Sequence, residues 1–450
     1  MKGRIIHFTV YGTKSRCYFY PVQIYDDLIT HAAGGETIRV GLVGAGFMGR
    51  GIVEVLELTP GMVVSAIADV DVERARGCFE RIGASPIRLV EHARDAKGCD
   101  LSRERLVCAD HRFVTALEGL DMVIEATGDA GVGAQVASDA VLHGKHVGML
   151  NVETDATVGF YLSSLARKHG VVYTVCAGDE PAAVKELCDF SRVCGFSVVA
   201  AGKGKNNPLD RKATPESLSV QARRVGLNPS MLTEFVDGSK TMVEMACVAN
   251  AVGLTVDRRN MHGPTVDIPQ IHEVFRPRDQ GGVLSREGVV EYVIGDLAPG
   301  VFAVVKHRGS VANETLRYLK VGEGPFYLFY RPYHLTNLEV PDTVGWAAIH
   351  KKTTLACLRP PVTEVITIAK RDLGRGDYVD SFGGHTVYGG IENRAQASRE
   401  GLLPLGLAVG ARLREDVEKD SVITYDQVDL ISSPLLNFRK IQDGMHDEYQ

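Results

Sequence analysis

The sequence predicts an α/β protein: a doubly wound parallel sheet, a central α+β region, and a small β-rich module at the C-terminus. Three observations predict it. An apolar strand runs into a glycine turn and an amphipathic helix at IRVGLVGAGFMGRGIVEVLEL, strand and helix patterns then alternate as far as Gly178, and two similar charged-turn-then-apolar stretches follow Val362. Strands alternating with helices of this length form a parallel sheet covered on both faces.

Taken in order, MVVSAIADVD gives the second strand, and Arg112–Leu117 is a short strand or loop. LDMVIEATG is a strong strand, GAQVASDAVLHGK a helix ending at Gly144, HVGML a strand, Gly159–His169 a helix, and VVYTVCAG a strand. Residues 182–200 give a helix and the strand FSVVAAGKG, followed by the loop NNPLDRKATPES and helices near 215–226 and 237–252. Short strand patterns fill 281–345, then a helix and a Pro-Pro pair. The C-terminal part repeats a charged turn and a short apolar strand in AKRDLGRGDYVD and LREDVEKDSVITYDQV. The expected units are an N-terminal extension (1–36), a dinucleotide-binding domain (37–180), a central substrate domain (181–361) and the C-terminal module with its tail (362–450).

Composition narrows the function. In 450 residues, 50 Lys+Arg face 56 Asp+Glu, a net charge of −6 with no basic excess to hold nucleic acid. Hydrophobic residues make up 45% and charged residues 24%, which excludes disorder. Nine cysteines (17, 78, 99, 108, 176, 188, 194, 247, 357) are scattered without a C-x-x-C pair, as reduced thiols in a cytoplasmic protein would be. No apolar run is long enough for a membrane helix. MKGRIIHFTVYGTKSRCYFY has no continuous apolar core, so it reads as a poorly ordered extension, or an early start codon, rather than a secretory signal.

Gly44-Ala45-Gly46-Phe47-Met48-Gly49 is a G-x-G-x-x-G turn between strand and helix, and Asp69 ends the next strand twenty positions after Gly49. Gly44 permits the tight turn, Gly46 lets the backbone approach a pyrophosphate, and Gly49 lets helix and strand pack closely. This is the Rossmann pattern, with the pyrophosphate against free N–H groups at a helix start. Asp69 favours NAD over NADP by accepting ribose hydroxyls, although Arg74 and Arg76 nearby leave NADP open. Ala126-Thr127-Gly128, Asn151 with Glu153, and Gly178-Asp179-Glu180-Pro181 fall at carboxyl ends of later strands, the edge where such sheets bind ligands.

Lys203, Lys205 and Asn206 follow an apolar strand in one loop, a donor set suited to a phosphate, a carboxylate or an oxyanion, or simply a solvated basic turn. Asp237 is a natural N-cap for a helix carrying Lys240 and Glu244. At i,i+4 these two could be a surface ion pair, or Lys240 in a dry cleft could have its pKa lowered and exchange a proton during hydride transfer. Arg331 and His334 bring an anion binder and a proton carrier together after an aromatic strand. No zinc pattern is present, and the spacing leaves a hard-metal site undetermined.

GLVGAGFMGRGIVEVL, the AGDEP turn, SVVAAGKGKNNPLD, DGSKTMVEMACVANAVGL and GPFYLFYRPYHLT together resemble the 1-deoxy-D-xylulose 5-phosphate reductoisomerase-like family, a homoserine-dehydrogenase-related group with a C-terminal SAF domain. The resemblance spans roughly Thr37 to Tyr425. It implies a Rossmann domain, a central catalytic and oligomerisation domain, and an SAF fold. It also points to Lys240 as the catalytic lysine and to the Lys203–Asn207 stretch as the phosphosugar pocket. The implied protein is a homodimer or higher homo-oligomer acting on a small molecule, with no nucleic acid and no membrane. The family's isoprenoid-precursor enzymes use NADPH, whereas Asp69 points to NAD. Three readings follow: an NAD(P)-dependent oxidoreductase of sugar-like substrates, with or without skeletal rearrangement; an NADPH-dependent reductoisomerase of deoxyxylulose phosphate; and a non-catalytic NAD(H) sensor.

Overall fold

A computed structural model describes residues 24–91, 95 and 98–447. The expectation for the first twenty residues, and Cys17 with it, lies outside them. The first sheet has seven parallel strands, β1 (Ile38–Val43), β2 (Met62–Ala68), β3 (Ile87–Leu89), β4 (Arg105–Cys108), β5 (Met122–Glu125), β6 (His146–Met149) and β7 (Tyr173–Val175), in the order β3-β4-β2-β1-β5-β6-β7. Every residue of β2, β4, β5, β6 and β7 is buried, as expected for strands covered on both faces. Helices α1 (Ile24–Ala33), α2 (Phe47–Leu58), α3 (Val72–Arg81), α4 (His111–Ala116), α5 (Ala130–Leu142) and α6 (Val152–Lys168) accompany it.

A second sheet follows α7 (Glu180–Val193): β8 (Ser197–Lys205), β9 (Val289–Ile294), β10 (Val301–Lys306) and β11 (Phe326–Arg331), in the order β11-β10-β8-β9. Between β8 and β9 lie α8 (Pro215–Val225), α9 (Pro229–Asp237) and α10 (Ser239–Val252). Nearly all of α10 is buried, because it is wedged between the first sheet's helices, the second sheet and the C-terminal module. In that module β12 (Thr363–Ala369) pairs antiparallel with β13 (Val387–Asn393). One apolar core runs through all three parts, joining Ala137, Met245 and Ile391.

Several expectations are corrected. Residues 111–116 form a helix rather than a strand, capped by the Asp110 side chain on Arg112 N, and the strand lies just before it at Arg105–Cys108. Ser310–Tyr318, within the strand-patterned region, is a helix. Within residues 1–36, α1 packs on helix Val340–His350, where His350 Nε2 lies 2.6 Å from Asp27, so this stretch joins the first domain. Residues after 340 return to the first sheet instead of staying with the second. Val340, Val344 and Ala347 join its core, and Val175 N donates to Leu355 O at 2.8 Å. Asp237 ends α9 instead of capping α10; Gly238, at φ 89°, makes the sharp junction between the two helices. Lys203 and Lys205 belong to strand β8, not to a loop.

Candidate active site

The carboxyl edge of the first sheet carries the glycine turn. A Cβ on Gly44 would stand 2.6 Å from Ala126 O, and one on Gly49 only 2.1 Å from Gly44 O, so both positions require glycine. A Cβ on Gly46 would meet nothing within 4 Å, and no side chain caps the start of α2 there. Open space in front of free helix N–H groups fits a pyrophosphate. Asp69 turns back onto this loop: its Oδ2 accepts from Ala45 N at 2.7 Å and its Oδ1 from Asp71 N at 2.8 Å. Arg74 lies 3.7 Å from the same carboxylate and is half exposed. Phe47 is exposed, while Met48 faces the cavity described next. Asn151 is buried as the N-cap of α6, with its amide donating to Asp129 O, and does not line the cavity described next.

A cavity of about 510 Å³ opens between this edge and the second sheet. Met48, Ala126, Thr127 and Gly128 form one side; Lys203, Lys205, Asn206, Lys240 and His334 line it from elsewhere in the fold. Five carboxyl groups share it with the three lysines: Glu153, Asp179, Glu180, Glu234 and Glu244. Lys240 Nζ donates to Glu153 at 2.7 Å. Lys203 Nζ is held between Glu180, at 2.5 Å, and Glu244. The expected Lys240–Glu244 surface pair therefore does not form; each residue takes a buried partner from another element.

The charges alter one another. Burial alone would lower the pKa of Lys240, but Glu153 and Asp179 more than offset it and hold the ammonium above its ordinary value. The expected lowering is thus reversed, because the cleft is rich in carboxylates. Lys203 is raised against burial in the same way by Glu180 and Glu244. Burial and Lys203 push Lys205 down to about 8; its ammonium donates to Phe235 O. Burial would raise Glu180, yet Lys203 and His334 hold it low, whereas burial and Glu180 raise Asp179 and Glu244. Asp179, Glu180 and Glu244 can each bring an oxygen within 4.8 Å of the others, a set able to hold one hard cation.

His334 Nδ1 lies 2.9 Å from Gly178 O and its Nε2 3.4 Å from Glu180, so it braces the turn at the cavity wall. A Cβ on Gly178 would collide with Thr336 O at 1.9 Å, so that turn also requires glycine. Arg331 points away from the cavity to Glu339 (2.7 Å) and Glu186 (3.2 Å). Asp237 is buried on Lys370 at 2.9 Å and on Ser239 N, outside the cavity lining. Neither residue lines the cavity. The sequence reading missed Glu234 and the partnering role of Glu180; only their places on α9 and at the start of α7 could have suggested them.

Residues 178–340 match the family described as Oxidoreductase DRL, catalytic domain. No curated protein matches the chain. Among solved structures it is similar to a probable dehydrogenase from Thermotoga maritima (14% identity, 67% of this chain and 70% of that one, TM-score 0.33). It is also similar to a scyllo-inositol dehydrogenase from Lactobacillus casei with bound NAD(H) and scyllo-inositol (13%, 61% and 67%, 0.33). A third is a putative myo-inositol dehydrogenase from Sinorhizobium meliloti (13%, 70% and 90%, 0.37). The oxidoreductase match over 178–340, joined to a doubly wound sheet with its glycine turn, makes the chain an NAD(P)-dependent oxidoreductase.

Proposed function

We propose that the protein transfers hydride between a nicotinamide dinucleotide and an oxygen-bearing carbon of a small polyhydroxylated substrate with an anionic end, such as a phosphate. The observation that carries this reading is that Lys240, buried and paired with Glu153, lines the same cavity as the Ala126–Gly128 edge. When bound, the nicotinamide supplies or accepts the hydride. The Lys240 ammonium donates to the substrate oxygen and stabilises negative charge developing there, an effect of about 10²–10³ in rate for one well-placed donor. Glu153 orients that ammonium, and Lys203 ties Glu180 and Glu244 into a fixed wall. Lys205 and Asn206 would take the anionic end, because an anion beside Lys205 favours the charged form that burial and Lys203 disfavour.

Asp69 supports NAD as the preferred cofactor, and the scattered free cysteines fit a cytoplasmic location; the family resemblance supports a homo-oligomer. A second reading, NADPH-dependent reductoisomerisation of deoxyxylulose phosphate, is favoured by Arg74 beside Asp69 and by the Asp179–Glu180–Glu244 set. A divalent cation held there would polarise a carbonyl. The test is steady-state turnover with NAD(H) and NADP(H) against sugar acids, inositols and 1-deoxy-D-xylulose 5-phosphate, with and without Mg²⁺ or Mn²⁺. Turnover of an anionic polyol, faster with NAD(H), supports the first reading. NADPH-dependent, cation-dependent rearrangement of deoxyxylulose phosphate selects the second. Tight NAD(H) binding without turnover on any substrate contradicts both and leaves a sensor.

A further inference from the structure

The lysines of the cavity leave a chemical gap. Hydride transfer at a hydroxyl-bearing carbon also moves a proton, and Lys240, held as an ammonium by its carboxylate neighbours, is poorly suited to accept one. Glu153, Glu180 and Glu244 are committed to lysines, and Asp179 sits against Glu180. Glu234 differs. Among the described residues, no hydrogen bond or ion pair engages its carboxyl, although it faces the same cavity as Lys240. Its methylenes pack on Gly383, where a Cβ would stand 2.8 Å from Glu234 Cγ. It also lines a second cavity of about 400 Å³, which shares Thr127 and Gly128 with the first and lies under Ser381, Phe382 and Ile431 of the C-terminal module. Glu234 is thus the carboxyl common to both cavities, at the border between the reaction space and the module.

We propose that Glu234 is the catalytic residue that exchanges the reaction's proton, an assignment resting on the reading of the main cavity as the site of hydride transfer. In the oxidising direction the hydroxyl proton passes to the Glu234 carboxylate as the C=O bond forms, while a bound oxidised nicotinamide would take up the hydride that the carbon gives up. In the reducing direction the carboxylic acid returns that proton to the oxygen while the carbon gains the hydride. Lys240 holds the oxygen throughout, and the second cavity offers the proton a way out.

The groups facing Glu234 are Glu153 from α6, Lys240 from α10, Asp237 on its own helix and Lys370 after β12. Burial and then Glu153 push its carboxyl up to about 8, against the opposing pull of Lys240 and Lys370. A group tuned there can both take and give a proton near neutral pH. Oxidation needs the carboxylate, so its rate should climb as pH rises through about 8; reduction needs the acid and should fall over the same range.

The test is Glu234→Gln, assayed on the substrate panel above with a full pH profile, beside NADH binding by fluorescence and difference infrared spectra of the carboxyl groups. The expected result is unchanged NADH binding, kcat lower by about 10²-fold, loss of the limb near pH 8, and loss of the protonated-carboxyl band that titrates there. Glu234→Ala should regain rate with added formate, a small acid able to enter the vacated space. Parental turnover and pH profile in Glu234→Gln overturn the assignment, as does a carboxyl band unchanged by the substitution. Absence of turnover by the unmodified protein across the panel instead sinks the hydride-transfer reading, and the assignment with it.

Discussion

The two sides of the candidate active-site cavity are built on different principles. At the cofactor edge the work is done by backbone: the glycines at 44, 46 and 49 leave room, α2 presents free N–H groups, and Asp69 ties the turn to α3. On the facing side the work is done by long side chains from α6, α7, β8, α9 and α10, brought together in one cavity with more carboxyl groups than lysines. A backbone site is fixed by sterics and is nearly indifferent to pH. A side-chain cluster is fixed by charge, so each member sets the protonation of the next, and one substitution changes several groups.

That contrast can be broken at measurable points. The largest effect should come from Lys203→Met, which strands Glu180 and Glu244 as buried carboxyls without their cation. Breaking a buried pair costs about 3–5 kcal/mol, so the thermal midpoint should fall markedly, and more at pH 8 than at pH 5, where the carboxyls can protonate. Equal stability at both pH values would show the cluster to be less coupled than its geometry implies.

Glu125, at the end of β5 on the backbone-built side, titrates for a different reason: burial without a charged partner. It is wholly buried, accepts from Thr127 N at 2.8 Å, and leaves Oε2 without a partner. Burial raises it from 4.5 to about 7. The folded state therefore binds the proton more tightly than the unfolded chain. The associated stability is complete below about 4.5 and is lost as pH rises through about 7. Glu125→Gln should remove that decline, worth about 3 kcal/mol. Chemical denaturation at several pH values measures it, and parallel curves for the two proteins would contradict it.

Lys205→Ala is expected to act more narrowly. If Lys205 holds the substrate's anionic end, KM should rise tenfold to a hundredfold, for about 1.5–3 kcal/mol of a charge-assisted contact, with NADH affinity unchanged. An unaltered KM would return Lys205 to a purely structural role on Phe235 O.

What the sequence disclosed follows the same division. The glycine turn, Asp69 and the alternating strands were legible because their signals are local: a strand, three glycines and a terminal acid within about thirty residues. The resemblance singles out Lys240, but nothing in the sequence discloses its surroundings. Glu153 lies 87 positions away, and no spacing rule shows that it, rather than Glu244 one turn on, would be the partner. The direction of the Lys240 pKa was misread for the same reason, since burial was visible in the pattern and the carboxylates that oppose it were not. Lys203 and Lys205 looked like a loop because charge and glycine break an apolar run. They are strand residues because β8 is covered on both faces and its lysines find buried acceptors. The return of residues 340–357 to the first sheet had no local signature at all.

The role proposed for Lys240 is to hold the reacting oxygen from within this cluster. It is tested most directly by the kcat of Lys240→Met on the substrate that the panel identifies, with NADH affinity and thermal midpoint measured on the same preparation. The substitution keeps the apolar stem and removes the donor. The account predicts a fall in kcat of about 10²–10³-fold with NADH binding retained. Turnover within a few-fold of the unmodified protein would contradict it.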